Sequence, residues 1–234
     1  MHAEIGQNLR RVEQLIAEAA AKSGRPPDAV KLIAVSKGRS WPQVEAAFAA
    51  GQLLFGENTV QDAMNKISRC THSAMEWHFI GHLQSNKAKY IPSNFAWLHS
   101  LDSIELATKL AHLAKQKAAS LKILIEVNIT GEVNKHGVAP AGLFHFMEEL
   151  LQAQIAGLEL RGLMAIGPHL ADERGLREAF SKLRELRDAC MRRFGLTDFT
   201  ELSMGMSGDF VPAIIEGATF VRVGTAIFGD RGKP

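Results

Sequence analysis

The stretch "KLIAVSK", residues 31–37, combines an apolar run with a lysine at its end. Side chains alternate along a β-strand, so Lys37 faces the same side as Ile33 and Val35. If that side is the interior, the ammonium lies above an apolar layer, and partial desolvation favours the uncharged amine. Such an amine condenses with aldehydes, which makes Lys37 a candidate Schiff-base residue. The alternative is a strand-end lysine whose ammonium only reaches solvent.

Two glycine-containing turns in the C-terminal part of the chain could bind an anion. The segment "SMGMSGD" (203–209) has the pattern of a strand that turns into a helix start near Asp209, and "RVGTAIFG" (222–229) repeats this arrangement. Free backbone N–H groups and the helix dipole favour an anion at such a start. Gly224 permits close backbone approach, and the Thr225 hydroxyl can donate to an oxygen. The pattern predicts a phosphate site, with two ordinary turns as the alternative.

Arg222 is predicted to point into the protein. Its neighbours Val221 and Val223 suit the outer, helix-packing face of a strand, so the arginine has the opposite orientation. A buried arginine needs a partner, which is either a carboxylate such as Glu126 or an acceptor on a ligand. A nucleophilic amine, a phosphate site and an inward arginine together describe a site for an aldehyde that carries a phosphate.

The elements that must position these residues follow a repeated pattern of short apolar runs and longer amphipathic stretches, which is typical of parallel strands joined by helices. The predicted strands are 31–37, 53–58, 77–81, 97–102, 121–128, 160–167, 200–205 and 219–224. The predicted helices are 3–22, 41–50, 58–70, 84–91, 103–118, 139–155, 172–194 and 208–217. The pattern predicts an α/β fold, a single (β/α)8 TIM-type barrel with an extra N-terminal helix, whose site lies at the carboxyl ends of the strands. An open doubly wound sheet, the runner-up, would leave strands unexplained and lacks a glycine-rich dinucleotide fingerprint after its first strand.

Length and charge favour one domain over residues 1–234. The formal net charge is only +2, and the basic residues are spread along helices, which argues against a nucleic-acid or membrane partner. The N-terminal segment lacks the unbroken apolar core of a signal peptide, and no apolar run is long enough to cross a bilayer. The two cysteines, Cys70 and Cys190, each stand alone, so neither a disulfide framework nor a zinc cluster is expected. We expect a cytoplasmic protein.

Several motifs occur in an order found in one known family. They are "LIAVSK", "FGEN", "WHFIGHLQSNK", "SLDS", "LRGLM", "LSMGMS" and "VRVGTAIFG". With these motifs, which span nearly the whole chain, the sequence resembles the pyridoxal phosphate homeostasis protein family, whose barrel is related to the N-terminal barrel of alanine racemase. The resemblance implies a (β/α)8 barrel that holds pyridoxal 5'-phosphate (PLP) as an internal aldimine, a role in cofactor homeostasis, and no established turnover.

The resemblance also implies roles for individual residues. Lys37 would form the aldimine and Arg222 would face the pyridine nitrogen. Ser207, Gly224 and Thr225, with nearby backbone amides, would hold the phosphate. The other residues implied to line the cofactor are Asn58, His78, Met164, Ser203 and Met206.

The chain departs from the family pattern at two places beside the proposed pocket. Thr59 follows "FGEN" where the family commonly has tyrosine. In "SGDFVPAI", Val211 and Pro212 stand where glutamate and alanine are more typical. The departures therefore concern the ring contacts near Asn58 and the helix start after Ser207.

Three functions are compatible with these features. The first is a non-catalytic, monomeric protein that buffers PLP or delivers it to apo PLP-dependent enzymes. The second is a PLP-dependent amino-acid racemase, which needs an acid–base group on each face of the substrate. No second acid–base group is evident at the predicted mouth. The only tyrosine, Tyr90, falls in a helix away from the mouth. An arginine beside the pyridine nitrogen also weakens the ring as an electron sink, although racemases of this fold tolerate one. The third is a Schiff-base aldolase that acts on sugar phosphates without a cofactor.

Overall fold

The computed structural model describes residues 2–132, 135–153, 155–169 and 171–230. Within these ranges, eight parallel strands close into a barrel in chain order, and the last strand pairs with the first. The strands are β1 (Lys31–Val35), β2 (Leu54–Glu57), β3 (Glu76–Phe79), β4 (Trp97–Leu101), β5 (Leu121–Glu126), β6 (Leu158–Met164), β7 (Glu201–Ser203) and β8 (Phe220–Val223). The prediction of a (β/α)8 barrel is confirmed.

Helices cover the outside of the barrel. They are α1 (His2–Lys22), α2 (Trp41–Ala49), α3 (Val60–Ile67), α4 (Ile104–Gln116), α5 (Leu143–Gln152), α6 (Glu173–Phe194), α7 (Phe210–Ile215) and α8 (Thr225–Phe228). Short 3-10 helices span Pro27–Ala29, Ser85–Tyr90 and Pro140–Gly142. None of the helices in the described ranges is long and apolar enough to cross a membrane.

Three connections differ from the predicted helices. The connection between β3 and β4 is a 3-10 helix, where an α-helix over 84–91 was predicted. Its buried residue Ala88 and the buried Ile91 directly after the helix lie three positions apart, which matches the three residues per turn of a 3-10 helix. Helix α7 is shorter than the predicted 208–217, because it begins only after Asp209. Helix α8 is absent from the prediction, since four residues are too few to show a helical period.

The predicted N-terminal helix is present as α1, which packs against α2, α7 and α8. Its buried side chains recur at three- and four-residue spacing, as in any amphipathic helix; they include Ile5, Leu9, Val12, Ile16 and Ala20. The side-chain amide of Asn8 donates to the carbonyl of Ile227 in α8 at 3.0 Å. Because α8 has only four residues, α1 occupies the place between α7 and α2 that a longer eighth helix would take.

The barrel interior contains an apolar layer that is separate from the core between strands and helices. Its buried members are Ile33, Trp97, Leu124, Met164 and Phe220. Val221 and Val223 belong to the outer core. Phe220 and Arg222 therefore point inward, which confirms the predicted orientation of the arginine. The layer gives the barrel mouth an apolar floor.

We expect the substitution Gly205→Ala, in the loop after β7, to destabilise the barrel. Gly205 has φ of +94°, a conformation that residues with a Cβ rarely adopt. A Cβ at this position would lie 2.7 Å from the Cβ of Ala213, which is too close for two carbon atoms. Strain and overlap together should lower the free energy of unfolding, measured by urea denaturation, by about 2–4 kcal/mol.

Gly208→Ala is the matched control in the same loop. A Cβ at Gly208 meets no atom within 4 Å, and its φ is not positive. We expect this substitution to change the free energy of unfolding by less than about 1 kcal/mol. Equal effects of the two substitutions would contradict the close contact between Gly205 and α7.

Candidate functional site

Lys37 lies at the barrel mouth, two residues after β1 ends at Val35. Gly38 turns the chain directly after it with φ of +67°, which glycine adopts at low cost. Ile33, on the same side of the strand, is fully buried inside the barrel, as the alternation predicts. The Lys37 side chain itself is exposed, so the partial desolvation expected from the sequence is not present in this structure. Its amine is accessible to a ligand that enters the mouth.

A buried ion pair holds the backbone beside Lys37. The ammonium of Lys66, on α3, lies 2.7 Å from a carboxylate oxygen of Glu57 and donates to the carbonyl of Ser36 at 2.7 Å. The Ser36 hydroxyl donates to the same carboxylate oxygen at 2.5 Å. The side chains of Lys66 and Glu57 are 4% and 0% exposed, so each buried charge depends on the other for compensation. Burial raises the pKa of Glu57 to about 7, although the bonds from Lys66 and Ser36 oppose that rise.

Asp62 extends this network to the other side of Lys37. Its carboxylate accepts from the backbone N–H of Gly38 at 2.8 Å and from the Lys66 ammonium at 2.9 Å. Thr59, one of the departures from the family pattern, caps α3 by accepting from the backbone N–H of Asp62 at 3.4 Å. We name Glu57, Asp62 and Lys66 the Lys37 clamp. Because both neighbours of Lys37 are bonded to the clamp, its backbone is fixed while its side chain remains free to turn.

The Lys37 clamp is a feature that the sequence reasoning misses. Lys66 falls within the predicted helix 58–70, where a lysine is ordinarily solvated. The available signal is its spacing, since Val60, Ala63 and Lys66 lie three residues apart and are the buried residues of α3. A lysine on the apolar face of a helix needs a buried acid, and Glu57 ends the preceding strand.

The loops after β7 and β8 meet at the mouth. The Ser207 hydroxyl oxygen accepts from the backbone N–H of Gly224 at 3.2 Å and from that of Ala226 at 3.4 Å. Thr225 is exposed and begins α8. The structure thus brings together Ser207, Gly224 and Thr225, the three residues predicted to hold a phosphate. Backbone N–H groups and two hydroxyls on one small surface suit an anion.

The second departure from the family pattern lies at the start of α7. Val211 and Pro212 are partly buried and stand in its first turn. A helix tolerates proline there, because the missing N–H would have no partner within the helix. Met206, in the preceding loop, is 40% exposed at the mouth. The loop after β7 therefore still leads into a helix, although Val211 and Pro212 depart from the family pattern.

Arg222 lies beneath the mouth and is 4% exposed. One guanidinium nitrogen donates to the Ser203 hydroxyl at 2.6 Å, and the other donates to the carbonyl of Ala165 at 3.0 Å. Burial lowers the pKa of Arg222 to about 10, and the charges of Asp209 and Glu126 oppose that shift. The guanidinium is therefore charged at neutral pH. These two bonds leave other N–H groups of the arginine for an acceptor in the mouth.

Glu126 and Asn58 line a cavity of about 270 Å³ at the mouth. Burial, with the charge of Asp102, raises the pKa of Glu126 to about 7, and Arg222 opposes this rise. Glu126 thus acts on Arg222 through its charge, and the hydrogen bonds of the arginine go to other groups. The side-chain oxygen of Asn58 is buried and has no hydrogen-bond partner. Among the described residues, this buried acceptor has no partner, which is uncommon for a buried polar atom.

The remaining predicted residues lie deeper in the barrel. His78 and Ser203 are fully buried and Met164 is 1% exposed, as part of the interior layer or next to it. The residue that lines the cavity at this place is Ile80, which directly follows β3 and lies two positions after His78. Ring contacts from His78 and Met164 stay predictions, and the Ser203 hydroxyl is engaged by Arg222 and His99.

His82, Asp102 and His136 form a cluster of potential metal ligands at the same rim, with ligand atoms within 4.8 Å of one another. The two imidazole rings stack with centroids 3.6 Å apart and planes 10° from parallel. An imidazole binds a metal ion in its own ring plane, and two nearly parallel planes at this separation do not share one ion. As arranged, the cluster is a stacked pair beside a carboxylate, and it does not form a metal centre.

Comparisons with known proteins identify the family of the chain and confirm its fold. The family model for the alanine racemase N-terminal domain matches residues 5–232. The pyridoxal phosphate homeostasis protein of Pseudomonas aeruginosa is 42% identical over 232 residues, covering 98% of both chains. PipY of Synechococcus elongatus, solved with PLP bound, has a TM-score of 0.81 and 39% identity, covering 92% of this chain and 100% of PipY. An alanine racemase of Clostridium difficile, at 12% identity and a TM-score of 0.77, shares the fold over 99% of this chain and 58% of its own.

The resemblance found in the motifs is thereby confirmed. The similarity extends over nearly the full length of this chain and of its relatives, and it includes the strands and loops between the motifs. The chain belongs to the pyridoxal phosphate homeostasis protein family, and its barrel has the fold of the alanine racemase N-terminal domain.

Proposed function

We propose that the chain binds PLP and serves its homeostasis, by buffering or delivering the cofactor, without catalytic turnover. The observation that carries this proposal is the position of Lys37, which the clamp holds at the mouth close to the phosphate loops. Gly224 lies beside Val35, and Val35 is two residues before Lys37 in the sequence. Family membership supports the same function, because the relatives are named for PLP homeostasis and PipY was solved with PLP bound.

The residues around the mouth fit the groups of this cofactor. Lys37 offers an amine for the aldehyde, Arg222 offers N–H donors for the ring nitrogen, and Ser207 and Thr225 offer hydroxyls for the phosphate. The buried, unpartnered oxygen of Asn58 can accept a hydrogen bond from a bound molecule. When bound, PLP supplies an aldehyde that bonds to amines and a ring that withdraws electrons.

Arg222 bears on the choice between binding and turnover. A guanidinium can donate a hydrogen bond to the ring nitrogen but cannot accept one from it. Its positive charge also disfavours a second positive charge on the ring nitrogen. An unprotonated ring nitrogen withdraws electrons less strongly, which weakens the chemistry that racemases need. The arginine is therefore compatible with a protein that holds PLP without turning over amino acids, but racemases of this fold tolerate one too, so the arginine alone does not decide between the two functions.

The racemase alternative depends on a second acid–base group. Tyr90 lies in the Ser85–Tyr90 3-10 helix and packs against the outer core, as the sequence predicted. His82 and His136 line the cavity, which corrects the expectation that no further acid–base group lies at the mouth. The two rings stack on each other, and the naming of the relatives for homeostasis favours the non-catalytic function.

The proposal extends to the setting in which the protein works. We propose that the chain acts as one domain and as a monomer in the cytoplasm, and that apo PLP-dependent enzymes receive the cofactor from it. The low net charge of +2 and the absence of a membrane-spanning helix among the described residues support this setting. Contacts of Asn58, His78, Met164 and Met206 with the ring are part of the same proposal. An exchange assay between the loaded protein and apo enzymes tests delivery.

We expect Lys37→Ala to abolish covalent attachment of PLP while the protein stays folded, because the side chain is exposed and supports no core contact. The measurement is absorbance of the PLP-loaded protein, followed by borohydride reduction and peptide mapping. Lys87→Ala, at another exposed lysine, is the control and should keep the labelled peptide. A borohydride-trapped adduct that persists in Lys37→Ala would overturn the assignment.

Thr225→Val should weaken PLP binding without abolishing it, because the hydroxyl is one of several donors to the phosphate. A hydrogen bond to a charged group contributes about 1.5–3 kcal/mol, so the dissociation constant should rise roughly ten- to hundred-fold. Pyridoxal, which lacks the phosphate, should bind equally to wild type and variant in absorbance titrations. If Thr225→Val lowered the affinity for PLP and for pyridoxal equally, the phosphate would bind elsewhere.

The purified, PLP-loaded protein should give no sustained exchange of the α-hydrogen of alanine for deuterium. The physical reason is that the candidate acid–base groups at the cavity, His82 and His136, stack on each other, while the donor-only arginine weakens the ring as an electron sink. The measurement is proton NMR of alanine in deuterium oxide. Exchange at rates typical of enzymes would support the racemase alternative, and its loss in His82→Ala or His136→Ala would identify the second acid–base group.

A further inference from the structure

A chain of hydrogen-bonded side chains runs through the barrel interior from Arg222. The arginine donates to the Ser203 hydroxyl at 2.6 Å, and Nδ1 of His99 lies 2.9 Å from the same oxygen. Nε2 of His99 lies 2.9 Å from Nδ1 of His78, and Nε2 of His78 lies 3.0 Å from a carboxylate oxygen of Glu76. We name these five residues the axial chain.

The axial chain connects the two ends of the barrel. Glu76 is the first residue of β3, at the amino end, and its side chain is 37% exposed. His78, His99 and Ser203 are fully buried, and Arg222 lies beneath the mouth at the opposite end. The three inner members of the axial chain are therefore closed off from water, and among the described residues their side chains form hydrogen bonds only with other members of the axial chain.

The charges at the two ends fix the direction of every hydrogen bond. Arginine can only donate, and an ionised carboxylate can only accept. Ser203 accepts from Arg222, so its own proton goes to Nδ1 of His99. A neutral His99 then donates from Nε2 to Nδ1 of His78, which in turn donates from Nε2 to Glu76. Both histidines are thus Nε2–H tautomers, and each polar atom has a partner.

The reverse direction is unfavourable. It would require Nδ1–H on both histidines, which leaves the Ser203 proton without an acceptor in the axial chain. It would also turn the lone pair of Nε2 in His78 toward the carboxylate of Glu76. Because an unpaired buried donor and a lone pair against a carboxylate both cost free energy, the forward direction is the stable one.

The protonation states agree with this direction. Burial lowers the pKa of His99 well below its ordinary value, and the charges of His78 and Arg222 lower it further. Burial also lowers the pKa of His78, although the bond with Glu76 opposes this. The bond from His78 lowers the pKa of Glu76 against the effect of burial. At neutral pH both histidines are neutral and Glu76 is ionised.

Other groups enclose the axial chain and restrict its movement. The indole N–H of Trp97 donates to Glu76 at 3.1 Å, and its ring stacks beside His78 with centroids 5.7 Å apart. The ring of Phe220 contacts both histidines edge-on. The charges of Lys31 on β1 and Lys122 on β5, each two strands away from β3, also disfavour protonation of His78. The histidines therefore have one charge state and one orientation.

We propose that His78, His99 and Ser203 are positioning residues for Arg222, and that the axial chain holds the guanidinium in place with its free N–H groups toward the mouth. Ser203 and the carbonyl of Ala165 accept from the two terminal nitrogens, which fixes the guanidinium plane. This inference rests on the proposed function, because the arginine acts on the ring nitrogen of bound PLP. His78 and Ser203 then contribute to cofactor binding through Arg222.

The first test needs no cofactor. Nitrogen-15 NMR of the histidine-labelled protein between pH 6 and 8 identifies the tautomer of each ring, with His78→Gln and His99→Gln used to assign the signals. Neutral Nε2–H forms for both residues are the expected result. An Nδ1–H tautomer or an imidazolium at either position would overturn the direction of the axial chain.

The second test uses Ser203→Ala with two ligands. PLP should bind about tenfold more weakly to this variant, because the guanidinium loses one of the two acceptors that orient it. The analogue 1-deazapyridoxal phosphate has carbon in place of the ring nitrogen, so its affinity should be nearly the same for wild type and variant. Ser100→Ala is the matched control, since Ser100 is also fully buried at a strand end and donates to the carbonyl of Gly81 at 2.6 Å, outside the axial chain.

The outcomes separate the two proposals. If Ser203→Ala loses affinity for PLP but not for the deaza analogue, and Ser100→Ala shows no such difference, the result supports positioning of Arg222 by Ser203. If Ser203→Ala loses affinity for both ligands equally, or if Ser100→Ala also loses affinity for PLP alone, Ser203 only supports the fold. If wild type bound neither ligand, the proposed function would fail, and the NMR tautomers would still decide whether the axial chain has its inferred direction.

Discussion

The buried ion pair between Lys66 and Glu57 is the interaction on which the candidate site depends. It connects α3, the end of β2 and the carbonyl of Ser36 in one place, and Asp62 adds the backbone of Gly38. Removing one partner of a buried pair leaves an uncompensated charge, which costs about 3–5 kcal/mol. The backbone of Lys37 is thus held by charges that the barrel cannot easily expose or rearrange. This rigidity allows a flexible and exposed lysine side chain to start from a fixed point.

Closure of the barrel brings the two halves of the site together. Lys37 follows the first strand and the loops proposed to hold the phosphate follow the last two, yet β1 pairs with β8 and Ile33 lies opposite Arg222. Lys37 is four residues beyond that pair on one strand, and Gly224 is two residues beyond it on the other. The register of this one pair of strands therefore brings Lys37 and Gly224 near each other at the mouth. The same register places the arginine below the site and not beside it.

The sequence predicts those parts of the site that depend on local pattern. Alternation along β8 gives the inward direction of Arg222, and the apolar run before Lys37 gives its place at a strand end. The axial chain escapes such reasoning, because His99 meets Ser203, 104 positions away, only after β4 and β7 enter the same barrel. In the clamp, Glu57 and Asp62 are near Lys66 in sequence, but the bond to the carbonyl of Ser36, 30 positions away, forms only when the end of β1 packs beside α3. The exposure of Lys37 and the 3-10 helix at Ser85–Tyr90 also depend on the packing of the folded chain.

The short helix α8 has a consequence for the order of events during synthesis. The place of a full eighth helix is taken by α1, whose Asn8 bonds to Ile227 across 219 positions of sequence. Helix α1 is synthesised well before α7 and α8, so its apolar face lacks these two partners until they have emerged from the ribosome. Contacts of such separation close late and slow the search for the native state. Closure of the barrel at the seam between β1 and β8, which brings Lys37 and the loops after β7 and β8 to one mouth, is therefore expected to be a late step of folding.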